Sequence, residues 1–224
     1  MKQEHIIDWN IKESKKRIKN SILKDNILIF FTRVIEDLNR YKNPNFYGRI
    51  KDLFFLIYPY SNIIDTKKIF LDLRKSDLKS KNGLTLNENE INHIKFFINE
   101  LDECCKLKNT EKAKINANAT LTELVKKYLP NSSVLIEPYL LGKLISSVGG
   151  IKNLSRKPSS TIQLIGAEKA MFRHIRKNRP SPKYGLIYYS DNIQKTKNKG
   201  KASRRLANKL ALNIRVDYFK NFAQ

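Results

Sequence analysis

Apolar residues in the first half of the chain recur at helical spacing. Ile27, Phe31, Val34, Leu38 and Tyr41 follow one another at intervals of 4, 3, 4 and 3, the heptad seam of a helix that pairs with another helix. Ile11, Ile18 and Ile22 extend the pattern upstream, and Asn43-Pro44 interrupts it, because proline lacks the backbone donor and kinks or ends a helix. An apolar run from Phe46 to Tyr58 then stops at Pro59. Residues 59–86 read as a connecting tip, with a short helix around 66–73 and a loop at "KSKNG". A second helix is expected from about residue 87, capped by Thr85 or Asn87, with Glu88 and Glu90 favourable in its first turn. Its seam is Ile91, Ile94, Ile98, Leu101 and Cys105; it resumes at Ile115 and closes with Leu121, Leu124, Val125 and Tyr128 before Pro130. Helices over about 10–58 and 87–128 predict an antiparallel coiled coil about 50 Å or more in length, occupying residues 1–128. Two ordinary amphipathic helices of a bundle would give the same pattern. The apolar tip "NIIDTKKIFLDL" offers a self-association surface.

After Pro130 the elements shorten and are punctuated by proline and glycine. "IEPYLLGKLISSVGG" reads as a helix ending at a glycine C-cap. Ser159-Ser160, following Pro158, are expected to cap a helix that runs through Gly166 into Arg176. "YGLIYYSD" is too short to assign. "KASRRLANKLALNIRVDYF" is an amphipathic helix, with Leu206, Ala207, Leu210, Ala211 and Ile214 on one face and Lys201, Arg204, Arg205 and Lys209 mostly on the other. The expected fold class is all-α: a long antiparallel coiled coil over 1–128, then a compact helical domain over 129–224.

Charge changes the picture more than composition does. The 224 residues are 41% hydrophobic, enough for a real core. The formal charge is +23, and it is unevenly spread. Residues 151–224 hold 18 Lys/Arg against 3 Asp/Glu, while residues 1–150 hold 26 against 18. A third of a chain nearly stripped of acids points to a polyanionic partner, and nucleic acid fits better than membrane because no basic amphipathic segment stands apart from the folded pattern.

The basic residues are patterned too. From Lys169 to Lys183 there are six Lys or Arg and no acid. Lys169, Arg173 and either Arg176 or Lys177 fall on one helical face. Lysine suits phosphate as a point charge, and arginine also forks onto base edges or stacks. "RPSPKYG" is a stiff basic loop in which Lys183 can reach phosphate and Tyr184 can stack on an unpaired base or, alternatively, pack inward. Gly166-Ala167 removes side-chain bulk, either for a partner's backbone or for packing of two helices.

Signals for catalysis are missing. His5, His93 and His174 are scattered, with no cysteine or paired carboxylates beside them. No phosphate-binding glycine loop or metal-ligand spacing occurs, so no catalytic residue, metal site or cofactor is expected. Cys104 and Cys105 are adjacent, which suits neither a disulfide nor a redox pair. The N-terminus has no signal-peptide core, and "LFFLIY" at 53–58 is too short to span a bilayer. A soluble intracellular protein with no membrane partner is expected.

"LSRKPSSTIQLIGAEKAMFRHIR", "SPKYGLIYYSD" and "KGKASRRLANKLALNIRVDYF" stand in that order. Together they closely resemble the Nop domain, shared by the core scaffolds of box C/D small ribonucleoproteins, archaeal and nucleolar, and by a spliceosomal pre-mRNA-processing factor. "LPNSSVLIEPYLLGKLISSVGGIKNLSRKP" resembles the segment before it, and "DNILIFFTRVIEDLNR" with "IYPYSNII" resembles the family's coiled-coil domain. The resemblance covers about residues 20–220. It implies a composite binding surface for a kink-turn RNA and the small kink-turn-binding, ribosomal-protein-like protein seated on it. On this sequence RNA contacts are then expected of Lys169, Arg173, Arg176, Lys183, Tyr184, Lys201, Arg204 and Arg205. The protein partner is expected at Lys152, Asn153, Arg156, Gln163, Gly166 and Ala167. The resemblance further implies a homodimer through the coiled coil and a scaffold that supports RNA 2′-O-methylation without catalysing it. The GAEKA block is nearest the methylation-guide scaffolds. "IYYSD" leans toward the spliceosomal relative, and the alternative is an assembly factor in pre-mRNA splicing with no methyltransferase. Archaeal scaffolds bind the methyltransferase fibrillarin through an N-terminal domain, and this chain begins about where that domain ends. Fibrillarin is a further partner that the resemblance implies; its recruitment is in question only if the natural protein is as short as this sequence. The implied location is nuclear or nucleolar in a eukaryote and cytoplasmic in an archaeon.

Overall fold

The structure is a computed structural model that describes residues 2–40, 48–49, 51–52, 110–177 and 179–221. Every regular element among the described residues is helical, and no strand occurs among them. The chain divides into two compact units, Met1–Asn118 and Ala119–Gln224.

In the first unit, α1 spans Lys2–Arg40, 39 residues without glycine or proline to break it. It begins well before position 10, where the apolar pattern had set its start. Ile27, Phe31, Val34 and Leu38 are all buried, as their spacing requires. Burial is wider than that seam, however, since Leu28, Ile29, Phe30 and Ile35 are buried too. Consecutive residues lie about 100° apart, so six buried positions in a row, Ile27 to Thr32, enclose the helix on every side there. Buried Thr32 satisfies its hydroxyl by donating to the Leu28 carbonyl at 2.8 Å. The Arg49 Nε donates to Asp37 at 2.8 Å, a partly exposed pair worth under about 1 kcal/mol.

Helix α2 (Thr110–Tyr128) corrects the expected seam. Ile115, assigned to it, is 65% exposed, and the buried line is Ala113, Ala117, Leu121, Leu124, Val125 and Tyr128. Small alanines carry the positions that a search for large aliphatics passes over. Tyr41, the break at Asn43-Pro44, most of the Phe46–Tyr58 run, the tip, the seam from Ile91 to Cys105 and both cysteines lie outside the described residues.

The second unit is a cluster of short helices around one long one. These are α3 (Pro130–Ser133), α4 (Pro138–Val148), α5 (Ile151–Ser155), α6 (Ser159–Leu164), α7 (Glu168–Lys177), a 3-10 turn (Leu186–Tyr189), α8 (Asp191–Gln194) and α9 (Lys199–Asn221). The expected glycine stop on α4 is a Schellman closure: Gly149 has φ 77°, the Gly150 N–H reaches the Ile145 carbonyl at 3.0 Å, and that of Gly149 reaches Ser146 at 3.4 Å. Helix α9 opens on Asn198, whose Oδ1 accepts the Lys201 N–H at 3.1 Å, the geometry of a side-chain N-cap. Its buried stripe is Ser203, Leu206, Ala207, Leu210, Ala211, Ile214 and Asp217. Each large aliphatic there contributes about 2 kcal/mol by leaving water.

Two tethers fix α9. Asp217 is fully buried and accepts four hydrogen bonds, from the Asn131 N–H (3.2 Å), Asn131 Nδ2 (2.8 Å), the Ser132 N–H (2.9 Å) and Ser132 Oγ (2.7 Å). It thereby satisfies first-turn donors of α3, which have no intrahelical partner. Arg215 donates Nε to the Ser155 carbonyl at 3.1 Å and Nη2 to that of Lys157 at 3.5 Å, closing the end of α5.

Candidate nucleic-acid interface

The helix expected from Ser159 through Gly166 to Arg176 is in fact two helices. Ser159 is its first residue, Pro158 holds the cap position, and no side chain caps it. The break is a type II turn: Ile165 has φ −53° and ψ 129°, Gly166 has φ 86°, and the Ala167 N–H closes on the Leu164 carbonyl at 2.9 Å. The third turn position demands positive φ, which glycine adopts without steric cost. Glu168 reaches back to accept the Gly166 N–H at 2.7 Å, and α7 starts from there in a new direction.

The second glycine motif is welded to the first. The Gly185 N–H donates to the Gln163 carbonyl and the Leu186 N–H to that of Ile165, both at 2.7 Å, while Gln163 Nε2 donates to the Lys183 carbonyl at 2.6 Å. A Cβ on Gly185 would overlap the Ile165 carbonyl, and one on Gly166 would come within 2.5 Å of Leu186 Cγ. The missing Cβ of Gly166 makes room for Leu186 while the residue stays exposed, and Gly185 is the glycine that permits close backbone approach within the chain.

This junction gathers basic groups. Lys183 is exposed and its stem runs past Gly200, 3.6 Å from where a Cβ there would sit. Tyr184 is half-buried and stacks on Tyr188 with centroids 4.5 Å apart and planes at 17°. One face of the Tyr184 ring is therefore occupied by its own chain. Lys199 Nζ donates to Tyr188 Oη at 3.2 Å and to Gln194 Oε1 at 3.3 Å. That hydrogen bond, the charge of Lys199 and a hydrogen bond with Gln194 draw the Tyr188 phenol below its ordinary value of 10.0. Lys183 and Tyr184 therefore meet Lys199 and Lys201 at the start of α9, and the exposed Arg204 and Arg205 follow within the next turn or so.

Lys169, Arg173 and Arg176 are exposed on α7, a helix with no buried residue. Arg173 Nε donates to the Lys169 carbonyl at 3.3 Å. His174 Nδ1 bonds the Arg179 carbonyl and holds the following loop back on the helix. Of the expected partner residues, Gln163, Gly166 and Ala167 form the junction itself. Lys152 and Asn153 lie on α5 and Arg156 at its end, all exposed. Asn153 Nδ2 is occupied with the Val148 and Gly149 carbonyls, each at 3.3 Å.

Sequence reasoning missed Tyr188, Gln194 and Lys199. The available signal was the closeness of "YYSD" to the lysine-rich stretch that follows it. Among the described residues, no group of three or more His, Cys, Asp or Glu is placed to hold a metal, and no helix is long and apolar enough to cross a membrane.

The family profile described as "Nop: snoRNA binding domain, fibrillarin" matches residues 49–224. The chain belongs to the Nop family. Among its relatives are Nucleolar protein 56 of Dictyostelium discoideum, 28% identical over 239 residues, covering 93% of this chain and 44% of that protein, and Nucleolar protein 56 of Schizosaccharomyces pombe, 34% identical over 171 residues, covering 74% and 33%. The chain spans less than half the length of these curated relatives. A chain from a solved fibrillarin/Nop5p complex aligns with it at 20% identity and a TM-score of 0.46, over 94% of this chain and 65% of that one. The Nop family is one of non-catalytic scaffolds.

Proposed function

We propose that the chain is a scaffold of a box C/D-type small ribonucleoprotein. In this reading residues 129–224 grip a kink-turn guide RNA together with its small ribosomal-protein-like partner. Residues 1–128 form an antiparallel coiled coil within the chain, and the chain dimerises through it. The assembly supports 2′-O-methylation by fibrillarin, in the nucleolus if the source is a eukaryote. The observation that carries this reading is the Gly166–Gly185 weld. It sets an acid-free basic helix face and the Lys183–Tyr184 loop on one rigid junction, beside the lysine-rich start of α9. The uncharged Gln163–Ala167 edge of that junction suits the protein half of the target, and the basic groups suit the RNA half.

The test is a titration of a kink-turn RNA preloaded with its small protein. Lys169→Ala with Arg173→Ala should weaken binding by at least about tenfold. Each lost phosphate contact should flatten the slope of log K against log salt by about 0.7. Both residues are exposed, so the melting curve should not move. Unchanged affinity and slope would remove the site. Sedimentation equilibrium should give a dimer; a strict monomer would remove the coiled-coil half.

A further inference from the structure

Helix α9 has two outer faces in series. Opposite its core stripe, the first half carries the exposed bases Lys201, Arg204, Arg205 and Lys209. The second half carries Leu212, Val216 and Phe219, which are 61%, 52% and 67% exposed. Their spacing of 4 and 3 puts them in one line about 10 Å long on the side away from the core. The two residues beside Val216 explain why that line is held so firmly. Arg215 is tied to the Ser155 and Lys157 carbonyls, and Asp217 is buried against Asn131 and Ser132. The Arg-Val-Asp triplet thus uses its two charged members as internal tethers and leaves the valine outward.

We infer that Leu212, Val216 and Phe219 form a docking stripe for an amphipathic helix of a separate protein, with an aliphatic seam flanked by Asp or Glu. Three apolar residues at i, i+4 and i+7 are the knobs that helix-in-groove and coiled-coil pairing require. The flanks decide the partner's charge. Lys209, Arg215 and Lys220 border the stripe and are exposed, and the sole acid of α9, Asp217, is buried. A second copy of this chain would bring the same three bases against their equivalents, and like charges across a helix pair repel. Only Phe219 of the three offers a ring for a base to stack on, and Leu212 and Val216 offer RNA neither stacking nor a hydrogen bond, so the line as a whole suits an apolar partner. The stripe lies beyond the basic half of α9, so it serves a partner distinct from the one proposed at the Gly166–Gly185 junction.

The experiment uses the full chain and a labelled helical peptide of about three heptads, with leucine at a and d and glutamate at e and g. Fluorescence anisotropy should show saturable binding to the chain and at least about tenfold weaker binding of the same peptide with lysine at e and g. Leu212→Glu with Phe219→Glu should abolish the difference while leaving the circular-dichroism melt and kink-turn RNA affinity in place. Lys209→Glu with Lys220→Glu keeps every apolar residue and should reverse the peptide preference. That second variant tests the inference even if the first fails to fold. Equal binding of both peptides, an unchanged Leu212/Phe219 variant, or displacement of the peptide by RNA alone would overturn the inference. So would a self-association that Leu212→Glu with Phe219→Glu dissolves.

Discussion

Replacing Gly185 by alanine adds one methyl group where the chain has no room for it. The new Cβ would overlap the Ile165 carbonyl and lie 2.8 Å from the carbonyl carbons of both Ile165 and Leu164. These are backbone atoms, so no rotamer change relieves the contact and the two segments must separate. The separation strains the Gly185-to-Gln163 and Leu186-to-Ile165 hydrogen bonds, each 2.7 Å, and the Gln163-to-Lys183 bond at 2.6 Å. At about 1 kcal/mol net for each, Gly185→Ala should cost about 2–3 kcal/mol. For a unit of about 100 residues that lowers the melting midpoint by roughly 10 °C. The assay is a thermal or urea melt followed by circular dichroism, paired with RNA titration well below the midpoint. Affinity should fall even where the protein is folded, because Lys183 and Tyr184 ride on the displaced segment. Gly48→Ala is the control: nothing lies within 4 Å of its added methyl, so it should be neutral or mildly stabilising. A Cβ on Gly166 would press on Leu186, whose N–H bond to Ile165 is one of those that Gly185→Ala strains, so the double variant should be less than additive. A Gly185→Ala protein that melts and binds like the wild type would refute the weld.

Asp217→Asn should destabilise the protein by about 2–4 kcal/mol in urea, because an amide nitrogen cannot accept the Ser132 donors and a buried pair left mismatched costs its desolvation; a shift under about 0.5 kcal/mol would show that the four bonds are not what pins α9. Phenolate formation followed near 295 nm should reach its midpoint below the ordinary 10.0 for Tyr188, whose phenol is lowered first by its hydrogen bond from Lys199, and Lys199→Met should return it upward. Because the folded value is depressed, the associated stability is present above the unfolded value and is lost as pH falls through the folded one. A Tyr188 titration indifferent to Lys199 would remove that contact.

The fold was legible wherever period and punctuation agreed. Leu206, Leu210 and Ile214 announced the core face of α9, and Gly149 announced the end of α4. Ile115 misled because an aliphatic residue at helical spacing says nothing about which side has a neighbour, and Ala113 and Ala117 hold that side. The helix drawn through Gly166 failed for a related reason. A glycine within a helical pattern costs only about 1 kcal/mol, so the pattern alone could not reveal that Ile165 and Gly166 turn the chain. At the candidate site, the exposed bases were legible from composition because charges in water need no partner. The Tyr188–Lys199 contact was hidden because the two residues meet only after Gly185 brings the loop onto Ile165.

The acids explain why so basic a surface is tolerated in one compact unit. Residues 151–224 contain three carboxylates, and two of them are engaged with backbone N–H groups. Glu168 holds the Gly166 N–H, and Asp217 holds the start of α3. Asp191 is exposed but sits where its own N–H is bound by Glu137 at 2.9 Å, at the far end of the 3-10 turn from Lys183. A free carboxylate between Lys169 and Lys177 of α7 or on the outer face of α9 would pair with the bases there and reduce the field that attracts a polyanion. Keeping the acids for backbone capping does two things at once: it locks the turns that aim the basic residues, and it leaves those residues unneutralised. The cost is mutual repulsion among the bases, which falls when a polyanion binds. The unbound unit should therefore gain stability from any bound phosphate-rich ligand in proportion to the counterions released, and lose that gain as salt rises.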